Sequence, residues 1–275
     1  MRYTRQAIKY VFKNFFYLIP FVVVPALLLS LSTDEKAMSS FLQTFFSGDL
    51  HGWTFAEIFR TISVLNFSSW KSILAGVGFL IAIIFFVAFL MAFLEKHMRI
   101  GKRSYVGVFS KLNDNLISTC GYGILLLAIY EFWSLIASAL LFFISRINAV
   151  IIAYVFSALA FLSICIILLG VINLIYLWLP CMQITGFKAK EALYYSNNLN
   201  TPVKRRIVAG QLLFLFIAYS LIFLCAWFAV SFVWFTVLTT ILYSFLIMLY
   251  CVRMQIVYFD RDNIDRADLL GYYRR

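Results

Sequence analysis

The chain has 275 residues, 64% of them hydrophobic and only 13% charged, with a net charge of +11. So few charged side chains cannot cover a water-soluble globule of this length, which excludes an ordinary soluble enzyme and points to lipid as the solvent. The 23 basic residues would suggest nucleic acid only as a patch on a soluble domain, and their spread between long apolar stretches is of a different kind.

The chain opens on Arg2, Arg5, Lys9 and Lys13, among which Ile8, Val11, Phe12 and Phe15 recur at helical spacing. This predicts a basic amphipathic helix that either lies in the membrane interface or is an ordinary helical run-in to the first span. The first apolar stretch, 15–32, is long enough to cross a hydrocarbon layer of about 30 Å. Pro20 and Pro25 within it predict a kinked, retained span; the competing reading is a cleaved secretory signal ending near Ser30–Ser32.

A loop at 33–71 follows, too long for a simple turn. Thr54 and Glu57 form a capping box ahead of Phe55, Ile58, Phe59, Ile62 and Leu65, which predicts a helix that lies on the outer leaflet or lids the bundle. His51 beside Trp53 has only His97 as a second histidine, on the opposite side, so no metal site is expected there.

Spans two and three are read at 72–94 and 121–144, separated by Lys96, Arg99, Lys102, Arg103 and Lys111. Between them Tyr105, Val108, Phe109 and Leu112 suggest a second amphipathic helix, N-capped by Ser104. The fourth span, 149–180, is over-long and is expected to tilt or run past the interface. A third, weaker amphipathic stripe, Ala189, Ala192 and Leu193, lies among Lys188, Lys190 and Glu191, and Thr201–Pro202 reads as the start of span five. Uncharged sequence from 207 to 252 is twice the spanning length, so it folds back near Ser231 into spans 207–230 and 233–252. Trp227, Phe228, Phe232 and Trp234 at that turn resemble an interfacial aromatic belt.

The result is one all-α domain over 1–275, a polytopic transmembrane bundle of six spans with short interfacial helices. Roughly nineteen of the 23 basic residues fall on one side, which predicts both termini on the cytoplasmic face of the cell membrane. Lys102, Arg103, Lys204, Arg205 and Arg206 are the candidate contacts to anionic lipid. Cys120, Cys165, Cys181, Cys225 and Cys251 lie in or at the ends of spans without metal-ligand spacing, as small packing residues.

One ionisable residue interrupts a span. Glu131 lies near the middle of the third, on a face shared with Ala128, Ser134 and Ser138. It is expected to point into the bundle, protonated by desolvation, and to donate to Tyr219 or Tyr243 at matching depth. Asn173 and Gln211 are placed to bond each other as interhelical glue. The tail carboxylates Asp260, Asp262, Asp265 and Asp268, interleaved with Arg261 and Arg266, read as a solvated segment.

The run from Glu191 to Ser196, with Asn198 and Leu199, and the close of span six at Val257–Asp260 resemble signature positions of bacterial multi-pass proteins related to the membrane domain that accompanies some glycerophosphodiester phosphodiesterases. The resemblance covers mainly the last third of the chain. It implies a bacterial cytoplasmic-membrane setting and a six-helix plan, and transfers no catalytic residue, because the phosphodiesterase barrel is absent. Nor is there a Walker loop, dinucleotide fingerprint, zinc helix motif or serine elbow. The expectation is a non-enzymatic membrane protein without cofactor, an envelope-associated factor or subunit of a membrane complex, whose partners are anionic lipids and other membrane proteins. The alternatives are a small secondary transporter or permease component using Glu131, supported also by the kinked first and over-long fourth spans, and, third, a lipid-modifying enzyme.

Overall fold

The computed structural model describes residues 2–48, 50–228 and 231–269, all of whose regular structure is helical. The end of the fifth predicted span at 229–230, and the tail residues Arg274 and Arg275, lie outside the described residues. Among the described residues five helical runs are long and apolar enough to cross a membrane: Trp70–Ile100, Leu112–Ser145, Val150–Thr185, Ala189–Phe228 and Phe232–Arg261; the count is six when the bent pair at 2–32 is taken as one broken span. Apolar side chains such as Ile81, Ile117, Phe132, Ile151, Ile167 and Leu224 face outward, while Ser30, Ser134, Ser138, Asn173, Thr239 and Gln255 are buried. That inversion is stable in lipid and not in water, so the chain is a polytopic membrane protein.

The first span departs from its sequence reading. Helix α1 (Arg2–Leu18) and helix α2 (Val23–Ser32) are separated by a 3-10 turn at Ile19–Phe21 and bent by 72°. Pro20 sits in the first turn of the 3-10 segment and Pro25 in the first turn of α2, where a missing N–H costs nothing. A single kinked helix over 15–32 is therefore corrected to an elbow. The face that α1 buries is Ala7, Tyr10, Val11, Asn14 and Leu18, leaving Ile8, Phe12 and Phe16 exposed beside Lys9 and Lys13. Its outward apolar stripe suits acyl chains and its flanking lysines suit headgroups.

Helix α2 is packed between α5 (Trp70–Ile100) and α11 (Phe232–Arg261). Ser30 makes the α11 contact, donating to the Thr236 carbonyl at 2.9 Å and pairing with the Thr239 hydroxyl. Small hydroxyl side chains of this kind let helices approach in lipid, where no hydrophobic force draws them together.

The outer segment contains two helices. The unforeseen one, α3 (Glu35–Ser47), is N-capped by Asp34, whose carboxylate accepts from the Ala37 N–H. The foreseen one, α4 (Phe55–Ile62), starts on the expected Thr54–Glu57 capping box but ends three residues before Leu65. No helix forms over 104–111. Gly107 takes a φ of 77°, the Ser104 hydroxyl accepts from the Val106 N–H in a local turn, and α6 (Leu112–Ser145) begins only at Leu112. Tyr105 packs on Phe21 and Phe93, and burial raises its phenol above the ordinary value.

The over-long fourth span is resolved by a break at 176–177 between α7 (Val150–Ile175) and α8 (Trp178–Thr185). Helix α9 (Ala189–Asn200) then leads through a 3-10 turn at Thr201–Val203, containing Pro202, into α10 (Lys204–Phe228). The fold-back lies where expected, with Ser231 capping α11 through the Trp234 N–H.

Candidate functional site

Glu131 faces a stretch of backbone and no tyrosine. Its Oε1 accepts from the Val64 N–H at 2.9 Å and the Leu65 N–H at 3.1 Å, and its Oε2 accepts from the Ser63 hydroxyl at 2.7 Å and the Ser134 hydroxyl at 3.3 Å. The Ser63 N–H still closes α4 on the Phe59 carbonyl, but Val64 and Leu65 lie beyond the helix and their N–H groups have no helical acceptor. Glu131 supplies one, which irregular backbone beside a membrane helix requires. The expected donation to Tyr219 or Tyr243 is thereby corrected to acceptance from the outer segment. On the predicted face, Ser134 and Ser138 are buried, Glu131 is half-buried and Ala128 is exposed.

Both tyrosines serve the same seam by other bonds. Tyr219 pairs with Tyr130, which donates to the Ile62 carbonyl at 2.8 Å, and Tyr243 meets the Thr33 hydroxyl at 3.0 Å. Arg146 donates to the carbonyls of His51 (3.0 Å) and Trp53 (3.2 Å), and Ser32 to that of Val64 (3.0 Å). Helix α4 thus runs back along α6 from Arg146 to Glu131, a helical distance of about 20 Å. Trp53 is buried and stacks on Phe41 with ring centroids 4.5 Å apart and planes 7° apart. The segment after α2 is fastened at many points to α6, α7 and α11 and behaves as a lid on that end.

The other end gathers the basic residues. Lys102 and Arg103 follow α5, Lys204, Arg205 and Arg206 open α10, and all five are exposed and without an ion pair among the described residues. Arg103 lies over the ring of Tyr17 at 5.5 Å. The tail carboxylates are held there by α1 and α9 as well as by their own arginines: Asp260 takes Arg2 (3.0 Å) and Tyr3 (2.6 Å), Asp262 takes Tyr195 (2.5 Å) and Tyr258 (2.9 Å), and Asp268 takes Arg266 (2.8 Å). His97 is buried against Tyr10 and Phe93, and no group of three potential metal ligands occurs among the described residues.

No family model, curated protein or solved structure matches this chain. Helix α9 is tied to the end of α11: Arg261 Nε donates to the Leu199 carbonyl at 3.2 Å, and Tyr195 bonds Asp262 just past α11.

Asn173 and Gln211 do not meet. Asn200 donates its amide to the side-chain oxygen of Asn173 at 3.0 Å and also to its carbonyl, a bond that joins α7 to the end of α9. Gln211 is 5% exposed, and neither atom of its amide has a partner. Beside it Arg253, 6% exposed, donates Nη2 to the Ile207 carbonyl at 3.0 Å while its Nε is unbonded and no carboxylate pairs it among the described residues. An unpaired buried charge costs several kcal/mol. Arg253 had a sequence signal, as the arginine that ends the uncharged run from 207 to 252, eight residues before Arg261 at the close of α11.

Proposed function

We propose that this chain is a non-enzymatic protein of the bacterial cytoplasmic membrane, an envelope-associated factor or a subunit of a larger membrane complex, that engages anionic lipid through its basic end. The carrying observation is the gathering of Lys102, Arg103, Lys204, Arg205 and Arg206, exposed and unpaired, at one end of the bundle, while the polar side chains of the other end are engaged with the lid. Segments rich in lysine and arginine stay cytoplasmic, so the basic end and both termini face inward. The use of both oxygens of Glu131 on backbone and hydroxyl donors supports an anchoring role over a proton-coupled one.

Orientation is tested by single-cysteine labelling in intact bacterial cells, in a background lacking the native cysteines. An impermeant reagent is expected to label Ser47→Cys and to spare Lys102→Cys and Lys188→Cys; the reverse pattern refutes the reading. Lipid engagement is tested by neutralising the five basic residues together. Each contributes up to about 1 kcal/mol near an anionic surface, so the variant should lose the retention of anionic over zwitterionic lipid that native mass spectrometry detects in the unmodified protein. Equal retention of the two lipid classes by the unmodified protein sinks the proposal.

A further inference from the structure

We propose that the cleft between α1, α10 and α11 is a phosphoryl-binding site in which Arg253, Gln211 and Thr4 take one oxygen of a phosphate group whose remaining atoms stay at the mouth of the cleft. The cleft is lined by these three with Tyr250, Leu249 and Phe214, and its free volume is about 20 Å³, room for a phosphate oxygen or a single water. Its chemistry is that of an anion receptor. Arginine stays charged and presents a planar fork of donors matched to phosphate. Only Nη2 of Arg253 has a protein partner, and it is a backbone carbonyl that leaves the charge uncompensated. Gln211 adds an amide N–H and an oxygen, both unpartnered, to the same space.

The backbone beside the cleft is shaped to let its polar side chains approach. A Cβ on Gly210 would stand 2.7 Å from Arg253 Nη2 and 3.4 Å from the Thr4 hydroxyl, so glycine at this position lets the guanidinium and the α1 side chain approach α10. Arg253 lies about 12 Å below the end of α11 and Gln211 about 10 Å below the start of α10. Both therefore sit under the exposed Arg205 and Arg206, at the level where the polar layer of a bilayer gives way to hydrocarbon. A lipid phosphate reaches that depth with its acyl chains still in the membrane, while a free phosphate ion has to descend between α1 and α10.

This site rests on the proposed lipid engagement only for its lipid source, and it is separable from the diffuse basic surface. The experiment is native mass spectrometry of the purified full-length protein titrated with phosphatidic acid, with diacylglycerol as the phosphate-free control and inorganic phosphate as a competitor. One phosphatidic acid is expected to bind at least tenfold more tightly than diacylglycerol. Gln211→Leu and Gly210→Ala should each weaken that binding about tenfold, whereas neutralising Lys204, Arg205 and Arg206 together should leave the single tight site in place. Displacement of the lipid by millimolar inorganic phosphate, with the same dependence on Gln211, supports the site and assigns it to the free ion. Phosphatidic acid binding that is unchanged in both the Gln211 and Gly210 variants, or absent along with phosphate binding from a normally melting unmodified protein, overturns the site and leaves water as its occupant. The basic-surface reading fails separately, when neutralising Lys102, Arg103, Lys204, Arg205 and Arg206 leaves unchanged the anionic lipid retained beyond the single tight site.

Discussion

Glu131→Ala is expected to destabilise the protein by about 2 to 4 kcal/mol, because it strands the Val64 N–H and removes a charged acceptor from the Leu65 N–H and the Ser63 hydroxyl, which are left with only their bonds to each other's residue. Glu131→Gln should cost much less, about 1 kcal/mol. Its amide oxygen takes the place of Oε1, which receives both N–H groups, and the new amide nitrogen donates to the Ser63 and Ser134 hydroxyls that Oε2 now accepts from. Thermal melting in detergent measures the contrast, with a fall on the order of 10 °C expected for alanine. Limited proteolysis adds a local readout, since cleavage within 33–69 should accelerate before the bundle melts. An alanine variant that melts within a degree or two of the unmodified protein refutes the anchoring role. Complementation separates the functional readings: a glutamine variant that folds and works as well as the parent removes proton-coupled transport, since an amide cannot titrate.

The second large effect is expected at Trp53. Truncation to alanine deletes a ring that is 2% exposed and stacked on both Phe41 and Phe45, so a loss of about 3 to 5 kcal/mol is expected. Trp53→Phe keeps much of the stacked area and should recover more than half of it. The side chain and the Arg146 bond are separable here, because Arg146 donates to the Trp53 carbonyl, which survives the substitution. Combining Trp53→Ala with Arg146→Ala should therefore give nearly additive losses in melting experiments, and strong coupling between them would contradict the described geometry.

The spans were legible because each is a long uncharged run, and lipid imposes that pattern on any helix that crosses it. The fold-back at Ser231 and the capping box at Thr54 were equally plain, each being a short polar signal beside apolar periodicity. The elbow at Ile19–Phe21 was not, since the residues on both sides of it are apolar and composition carries no direction. Helix α3 was legible in principle, from Asp34 before a helix-forming run and Gly48 after it, with a φ of 81°. Counting residues from helix ends estimates depth and says nothing about azimuth. Asn173 and Gln211 share a depth, yet the first turns to Asn200 and the second to Arg253's cleft. The same blindness hid the partners of Glu131, which lie on a returning loop that periodicity cannot place.

The elbow has a consequence for the order in which the bundle is assembled. Helix α2 has ten residues, about 15 Å of length, half of what a crossing needs, and its polar face is met by Thr236 and Thr239. Arg2 and Tyr3 are likewise held by Asp260, across sequence separations of 258 and 257. Helices α1 and α2 thus take part of their packing from α5 and the rest from α11, which is made well after them. During synthesis α1 can rest on the membrane surface by its outward phenylalanines and lysines, while α2 has no α11 to pack against. The packing of α1 and α2 is therefore a product of ring closure, begun on α5 and completed after α11 has been inserted, and a ribosome stalled before residue 232 would hold a chain in which Ser30 still lacks Thr236 and Thr239.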